Sequence, residues 1–130
     1  MTTLKFAIPN SSWLSSNQRL HWAAKAKRVA VLRELAMWRG LEIGFKGTHR
    51  KQVRITAHIG YATNGRADPA NSHPTVKALV DGLVDAGLFV DDSHEWVIGP
   101  DYRRDETKSP RGFHTVRLEI EEANNALVQS

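Results

Sequence analysis

The sequence predicts an α+β domain in which a single mixed β-sheet is packed by two helices, in the order β-α-β-α-β-β. Three observations lead there. Residues 1–9, 52–61 and 113–121 alternate apolar and polar side chains with the period of two of half-buried strands. The stretch from Asn17 or Gln18 to Gly40 is rich in Ala, Lys, Arg and Leu, with no proline or internal glycine. Val76, Leu79, Val80, Leu83 and Val84 recur at i, i+3, i+4, which buries one face of a second helix. One sheet covered by two helices is the economical way to bury all of these faces.

In the first strand Leu4, Phe6 and Ile8 alternate with Lys5 and Ala7, and Pro9 stops the run. Residues 10–17 are polar and turn-rich. In the first helix Trp22, Ala26, Val29 and Ala30 begin an apolar face that Leu32, Leu35, Ala36, Met37 and Trp38 widen. Arg19, Lys25, Lys27, Arg28 and Arg33 make much of the remainder basic, either as a solvated helix face or as a surface for phosphates. A loop at 44–50 leads to the clearest strand. There Val53, Ile55, Ala57, Ile59 and Tyr61 face one way and Arg54, Thr56, His58 and Gly60 the other. After a turn at Thr63-Asn64-Gly65 comes the second helix, with Pro74 in its first turn, Ser72 or His73 as cap and Gly87 at C′. Residues 94–100 read as a strand through Trp96, Val97 and Ile98. Charged and turn residues follow to Gly112, and the last strand runs through Val116, Leu118 and Ile120. Trp22, Trp38 and Trp96 are expected in the core, with stacking on bases as the alternative. The expected organisation is one domain over 1–122 and a flexible tail over 123–130.

The 130 residues contain no cysteine, so disulfides and thiolate metal sites are excluded and any metal must be held by oxygen or histidine nitrogen. Formal net charge is +4. Basic residues dominate 19–54, whereas acids cluster between Asp68 and Asp92, which suits a protein that grips a polyanion around an acidic pocket. No apolar run reaches the roughly 20 residues of a membrane span, and the N-terminus lacks an apolar leader, so a cytoplasmic protein without membrane contact is expected.

The chemistry concentrates in 66–92. Asp68 and the pair Asp91-Asp92 flank the second helix, while Lys77, Asp81 and Asp85 lie four apart upon it. Carboxylates in this number suit a hard divalent cation, Mg²⁺ or Mn²⁺, which lowers the pKa of bound water and polarises a phosphoryl group. Lys77 would stabilise developing negative charge. The bland reading is a turn at Asp68-Pro69 and a solvated Asp-Asp pair. The six histidines show no metal-ligand spacing, and His73 reads as a helix cap or a distal ligand.

The ordered set Asp68-x-x-Asn71, Lys77-x-x-x-Asp81-x-Leu83-x-x-x-Gly87 and Asp91-Asp92 resembles the signature of RusA-type Holliday junction resolvases. Ser16-Asn17-Gln18-Arg19-Leu20-His21-Trp22, the basic helix behind it and the closing strand after Gly112 are also similar to that family. The resemblance implies a homodimeric, Mg²⁺-dependent endodeoxyribonuclease of bacteria, prophages and phages that nicks four-way or branched DNA. It implies Asp68, Lys77, Asp91 and Asp92 as catalytic residues, with Asp68, Asp91 and Asp92 as metal ligands. Arg66, Arg19, Lys25, Lys27 and Arg28 would hold the DNA backbone. One departure stands out. The family pattern Asp-x-Asp-Asn is here Asp68-Pro69-Ala70-Asn71, so one carboxylate is missing, and extra residues separate Asn71 from Lys77. A catalytically silent junction binder on the same fold is therefore the alternative, and a protein-interaction module of phage origin a third reading.

Overall fold

In the computed structural model, residues 1–44 and 48–123 are described. The expected tail beyond residue 123 and the middle of the 44–50 loop lie outside them. The elements are β1 (Thr2–Pro9), α1 (Trp22–Ile43), β2 (Val53–Gly60), α2 (His73–Asp85), β3 (Val97–Arg104) and β4 (Phe113–Glu122). The strands form one sheet in the order β1-β4-β2-β3, with β4 antiparallel to both neighbours and β2 parallel to β3. The predicted mixed sheet with two helices is therefore the architecture.

The alternations set the layers. Leu4, Phe6, Ile8, Val53, Ile55, Ala57, Ile59, Val116, Leu118 and Ile120 are buried on one sheet face and join one apolar cluster with residues of α1 and α2. Lys5, Arg54 and Glu121 point to solvent from the other face. Two glycines bring the helices into close contact. A Cβ on Gly82 would overlap the Arg33 carbonyl oxygen and lie 2.8 Å from Ala36 Cβ; one on Gly40 would lie 2.7 Å from Ala86 Cβ. That packing explains why α1 continues through Gly40, where the sequence pattern ends it, to Ile43. α1 also starts later than expected. Residues 15–18 form a turn closed by Gln18 N–H to the Ser15 carbonyl at 3.1 Å, and His21 Nδ1 caps the helix by accepting from Ala23 N–H at 3.2 Å.

α2 ends as its sequence requires. Gly87 takes φ 83°, its N–H reaches the Val84 carbonyl at 2.9 Å, and Leu88 N–H reaches the Leu83 carbonyl at 3.0 Å. This is the Schellman arrangement that left-handed glycine permits. At the other end Asp68 Oδ1 accepts from Ala70 N–H at 3.0 Å and caps a single 3₁₀ turn, Pro69–Ser72, that runs into α2. Ser72 precedes α2 without a side-chain cap bond.

Two expectations are corrected. β3 begins at Val97 and runs to Arg104, through Pro100 and the residues read as turns. It is an edge strand, where a missing N–H is tolerated, and its register against β2 shifts between Arg54 and Thr56, beside Gly99 at φ 98°. Trp22 and Trp38 are 76% and 57% exposed rather than in the core. The apolar residues of α1 encircle more of the helix than one contact can cover, and the core takes Leu32, Ala36 and Gly40. Trp96 is partly buried against the core as expected. Trp13, in the turn-rich segment, is the buried tryptophan, stacked on His114 with ring centroids 4.2 Å apart.

Candidate active site

The exposed side of α2 carries the lysine and one carboxylate, and the loop after it brings a second. Lys77 Nζ donates to Asp81 Oδ1 at 2.7 Å and to Asp92 Oδ2 at 2.5 Å. The first bond follows from helical spacing, since side chains four apart are neighbours. The second depends on the Schellman turn, which sends the chain back past the helix to Asp92. Asp91 stands beside it, its Oδ1 accepting from Asp92 N–H at 2.8 Å. Two carboxylates thus converge on one cation at the surface. Sequence spacing left open whether Asp81 and Asp85 serve the site. Asp81 does belong to the cluster. Asp85 instead takes a two-pronged ion pair from Arg33 of α1, with bonds of 2.5 and 2.8 Å.

The charges respond to this geometry. Burial pushes the Lys77 ammonium toward the neutral form, but hydrogen bonds to Asp81 and Asp92 outweigh it and the pKa is raised. The Lys77 ammonium, followed by Asp81, holds the Asp92 carboxyl below the ordinary carboxylate range. Asp92 is therefore ionised and Lys77 charged at neutral pH.

Asp68 occupies a second setting. With Arg66, Asn17, Asn64, Asn71 and Arg104 it lines an open concavity of about 660 Å³. A smaller recess shares Arg66, Asp68 and Asn71 and reaches Tyr61, Trp13 and His114. The walls are tied together: Ser16 N–H donates to the Asn71 carbonyl at 2.9 Å, and Ser16 Oγ donates to Asn71 Oδ1 at 3.2 Å. Arg104 donates to the carbonyls of Gly65 and Thr63, both at 2.8 Å, and lies 4.8 Å from the Tyr61 ring centre. Burial lowers the pKa of His114. Asn17, Tyr61, Arg104 and His114 were not singled out for the site from sequence. Tyr61, Arg104 and His114 come beside Asp68 through the pairing of β2, β3 and β4, and Asn17 through the hydrogen bonds of its neighbour Ser16 to Asn71. His73, read as a cap or distal ligand, instead places Nδ1 3.1 Å from the Tyr102 hydroxyl.

The basic candidates separate. Arg66, Arg19, Lys25 and Lys27 are exposed and form no side-chain hydrogen bond to a described residue. Arg28 is committed, donating to the Trp13 carbonyl at 2.8 Å, where it fastens the 10–17 segment to α1.

Among the described residues no group of three or more histidine, aspartate or glutamate side chains is arranged to hold a metal, so Asp68, Asp91 and Asp92 do not form one cluster. Mg²⁺ is commonly held by one or two carboxylates completed by water and substrate phosphate. Asp81 and Asp92, already converging on the Lys77 ammonium, fit that donor set. No protein-family model and no curated protein matches the chain.

Proposed function

We propose that this chain is a RusA-type, Mg²⁺-dependent (or Mn²⁺-dependent) endodeoxyribonuclease that acts on four-way or branched DNA as a homodimer. The observation that carries the reading is the exposed cluster in which Lys77 Nζ touches both Asp81 and Asp92. An ammonium and paired carboxylates at one surface point are the groups a phosphodiester hydrolase needs, and the ordered Asp68, Asn71, Lys77, Asp91-Asp92 pattern adds the family resemblance. Asp92 and Asp81 would hold the ion, with Asp91 beside them, while Asp68 lines its own concavity with Arg66. When bound, the ion supplies an acidified water and charge neutralisation at the phosphate. Asp92, kept ionised by Lys77, accepts a proton from the attacking water. Lys77 then stabilises the negative charge that builds on phosphate oxygens as the water oxygen bonds to phosphorus and one P–O ester bond breaks, the leaving alkoxide taking its proton from solvent. Arg66, Arg19, Lys25 and Lys27 hold the DNA backbone, and a twofold dimer would set two such sites against a twofold substrate.

The silent junction binder is the second reading, favoured by Ala70 where the family carries a carboxylate. The two part in one experiment: a labelled synthetic four-way junction and a linear duplex, with and without Mg²⁺, for wild type and Asp92→Asn. Metal-dependent nicking of the junction, lost in Asp92→Asn, supports the nuclease. Salt-sensitive binding without nicking in Mg²⁺ or Mn²⁺ supports the binder, and no junction binding at low salt sinks both.

A further inference from the structure

The turn-rich segment before α1 is anchored along its length. Trp13 is buried and stacked on His114, and its carbonyl accepts from Arg28 at 2.8 Å and from Gln18 Nε2 at 3.2 Å. Leu14 is bonded in both directions to Thr75 Oγ1. His114 Nδ1 lies 2.7 Å from Asn10 Oδ1, and Tyr61 meets the His114 ring edge-on with centres 5.6 Å apart. Surface loops are ordinarily mobile, so this anchoring marks a wall that keeps its shape. The space it walls is the recess of about 290 Å³ that Tyr61, Trp13 and His114 line together with Arg66, Asp68, Asn71 and Asn17. Burial lowers the His114 pKa, so the imidazole is uncharged at neutral pH and adds flat, uncharged surface. Opposed to this aromatic part are polar atoms with no hydrogen bond to a described residue. They are the Arg66 guanidinium, the Asn17 amide, Asn71 Nδ2 and Asp68 Oδ2, since Asn71 and Asp68 commit only their Oδ1 atoms.

We propose that this recess is a nucleotide subsite, which takes one unpaired base of the DNA with the adjoining phosphate on Arg66. Aromatic walls with a few convergent polar groups are what fix a small planar ligand. The unspent groups match a nucleotide part by part. The rings offer apolar surface that tolerates any base, the two amides and the carboxylate oxygen offer donors and acceptors to its edge, and the guanidinium suits its phosphate. A neutral apolar ligand would leave all of these polar atoms unpaired. A recess of this size has no room for a base pair, so the base must leave its stack to enter. Unstacking costs least where pairing is already broken. The recess therefore supplies a physical ground for choosing branched over linear DNA. Lys77, Asp81 and Asp92 do not line it, so it is separate from the cluster assigned to hydrolysis. The inference rests on the DNA substrate of the proposed function and adds to it the place where a base is held.

The test has two arms, and the first uses neither junction nor metal. The ¹⁵N-labelled full chain is titrated with the four deoxynucleoside monophosphates and with deoxyribose phosphate, which lacks a base. The nucleotides should bind in the millimolar range and shift the Trp13 indole signal and the Asn17 and Asn71 side-chain amides, whereas the sugar phosphate should leave these in place. Ala67 is exposed and lines the recess, so Ala67→Leu fills it and should weaken nucleotide binding by about tenfold or more. Asn17→Ala removes an exposed side chain that bonds no described residue and should weaken binding severalfold with the rest of the spectrum unchanged. In the second arm a four-way junction carries 5-iododeoxyuridine at single positions beside the branch and is irradiated with the protein at low salt without added metal. Crosslinks should map to Tyr61 or His114, be absent from a linear duplex and fall in Ala67→Leu. Equal shifts from nucleotides and sugar phosphate overturn the proposal, as do nucleotide shifts that survive both variants. A bound junction that crosslinks only outside the recess overturns it too. A chain that takes nucleotides in the recess yet neither binds nor nicks a junction overturns the nuclease reading and leaves the subsite standing.

Discussion

Gly82→Ala is the sharpest test of how α2 is held. Judged by helix propensity alone, alanine inside a helix should stabilise by about 1 kcal/mol. The structure reverses that sign. The added methyl would overlap the Arg33 carbonyl oxygen of α1 and approach Ala36 Cβ to 2.8 Å, and backbone cannot rotate away as a side chain can. Overpacking of this kind costs about 1–3 kcal/mol and occasionally more. With a backbone obstacle the upper part of that range applies, so after the propensity gain the net loss should be about 2 kcal/mol. For a domain of this size that lowers Tm by roughly 8 °C. Urea denaturation with a thermal scan reads both quantities. Gly87→Ala is the control: φ is 83° but no atom lies within 4 Å of the added methyl, so only left-handed strain of about 1 kcal/mol is expected. A Gly82→Ala protein as stable as wild type would refute the close helix contact.

Two further outcomes follow from single side chains. Thr75 Oγ1 accepts from Leu14 N–H and donates to the Leu14 carbonyl, both at 2.8 Å in a buried setting, so Thr75→Val strands two backbone groups; it should cost about 2–4 kcal/mol in urea denaturation. A loss under about 0.5 kcal/mol would contradict that role. In Lys77→Met the Asp92 carboxyl should titrate higher by ¹³C NMR, back toward the ordinary carboxylate range. Because Asp92 is depressed in the folded wild type, its stabilising contribution is present above the unfolded carboxyl value. That contribution is lost as pH falls through the lower folded value, and the variant should lose this acid-side dependence. An unchanged Asp92 titration would mean that Lys77 does not control it.

The strands β1, β2 and β4 and the C-terminal cap of α2 were legible because their signals are local: alternation, helical spacing and a glycine at C′. The Lys77–Asp81 contact is local in the same sense, since four residues of helix place the two groups together. The pairing of Lys77 with Asp92 was legible only as a motif. Its geometry needs the turn at Gly87 to reverse the chain.

What the sequence alone determined is thus the strands β1, β2 and β4 and the presence of two helices, which faces of the sheet are buried, and which charged groups sit on the exposed side of α2. Tertiary structure decided the rest. β3 runs through Pro100 because it occupies a sheet edge, a position no local pattern specifies. Asp85 belongs to Arg33, and Arg28 to the Trp13 carbonyl, because helix packing and loop closure bring together groups far apart in the chain. Trp13 is buried while Trp22 and Trp38 are exposed, since burial depends on which surfaces meet, and a helix with apolar residues around most of its circumference can offer the core only one side.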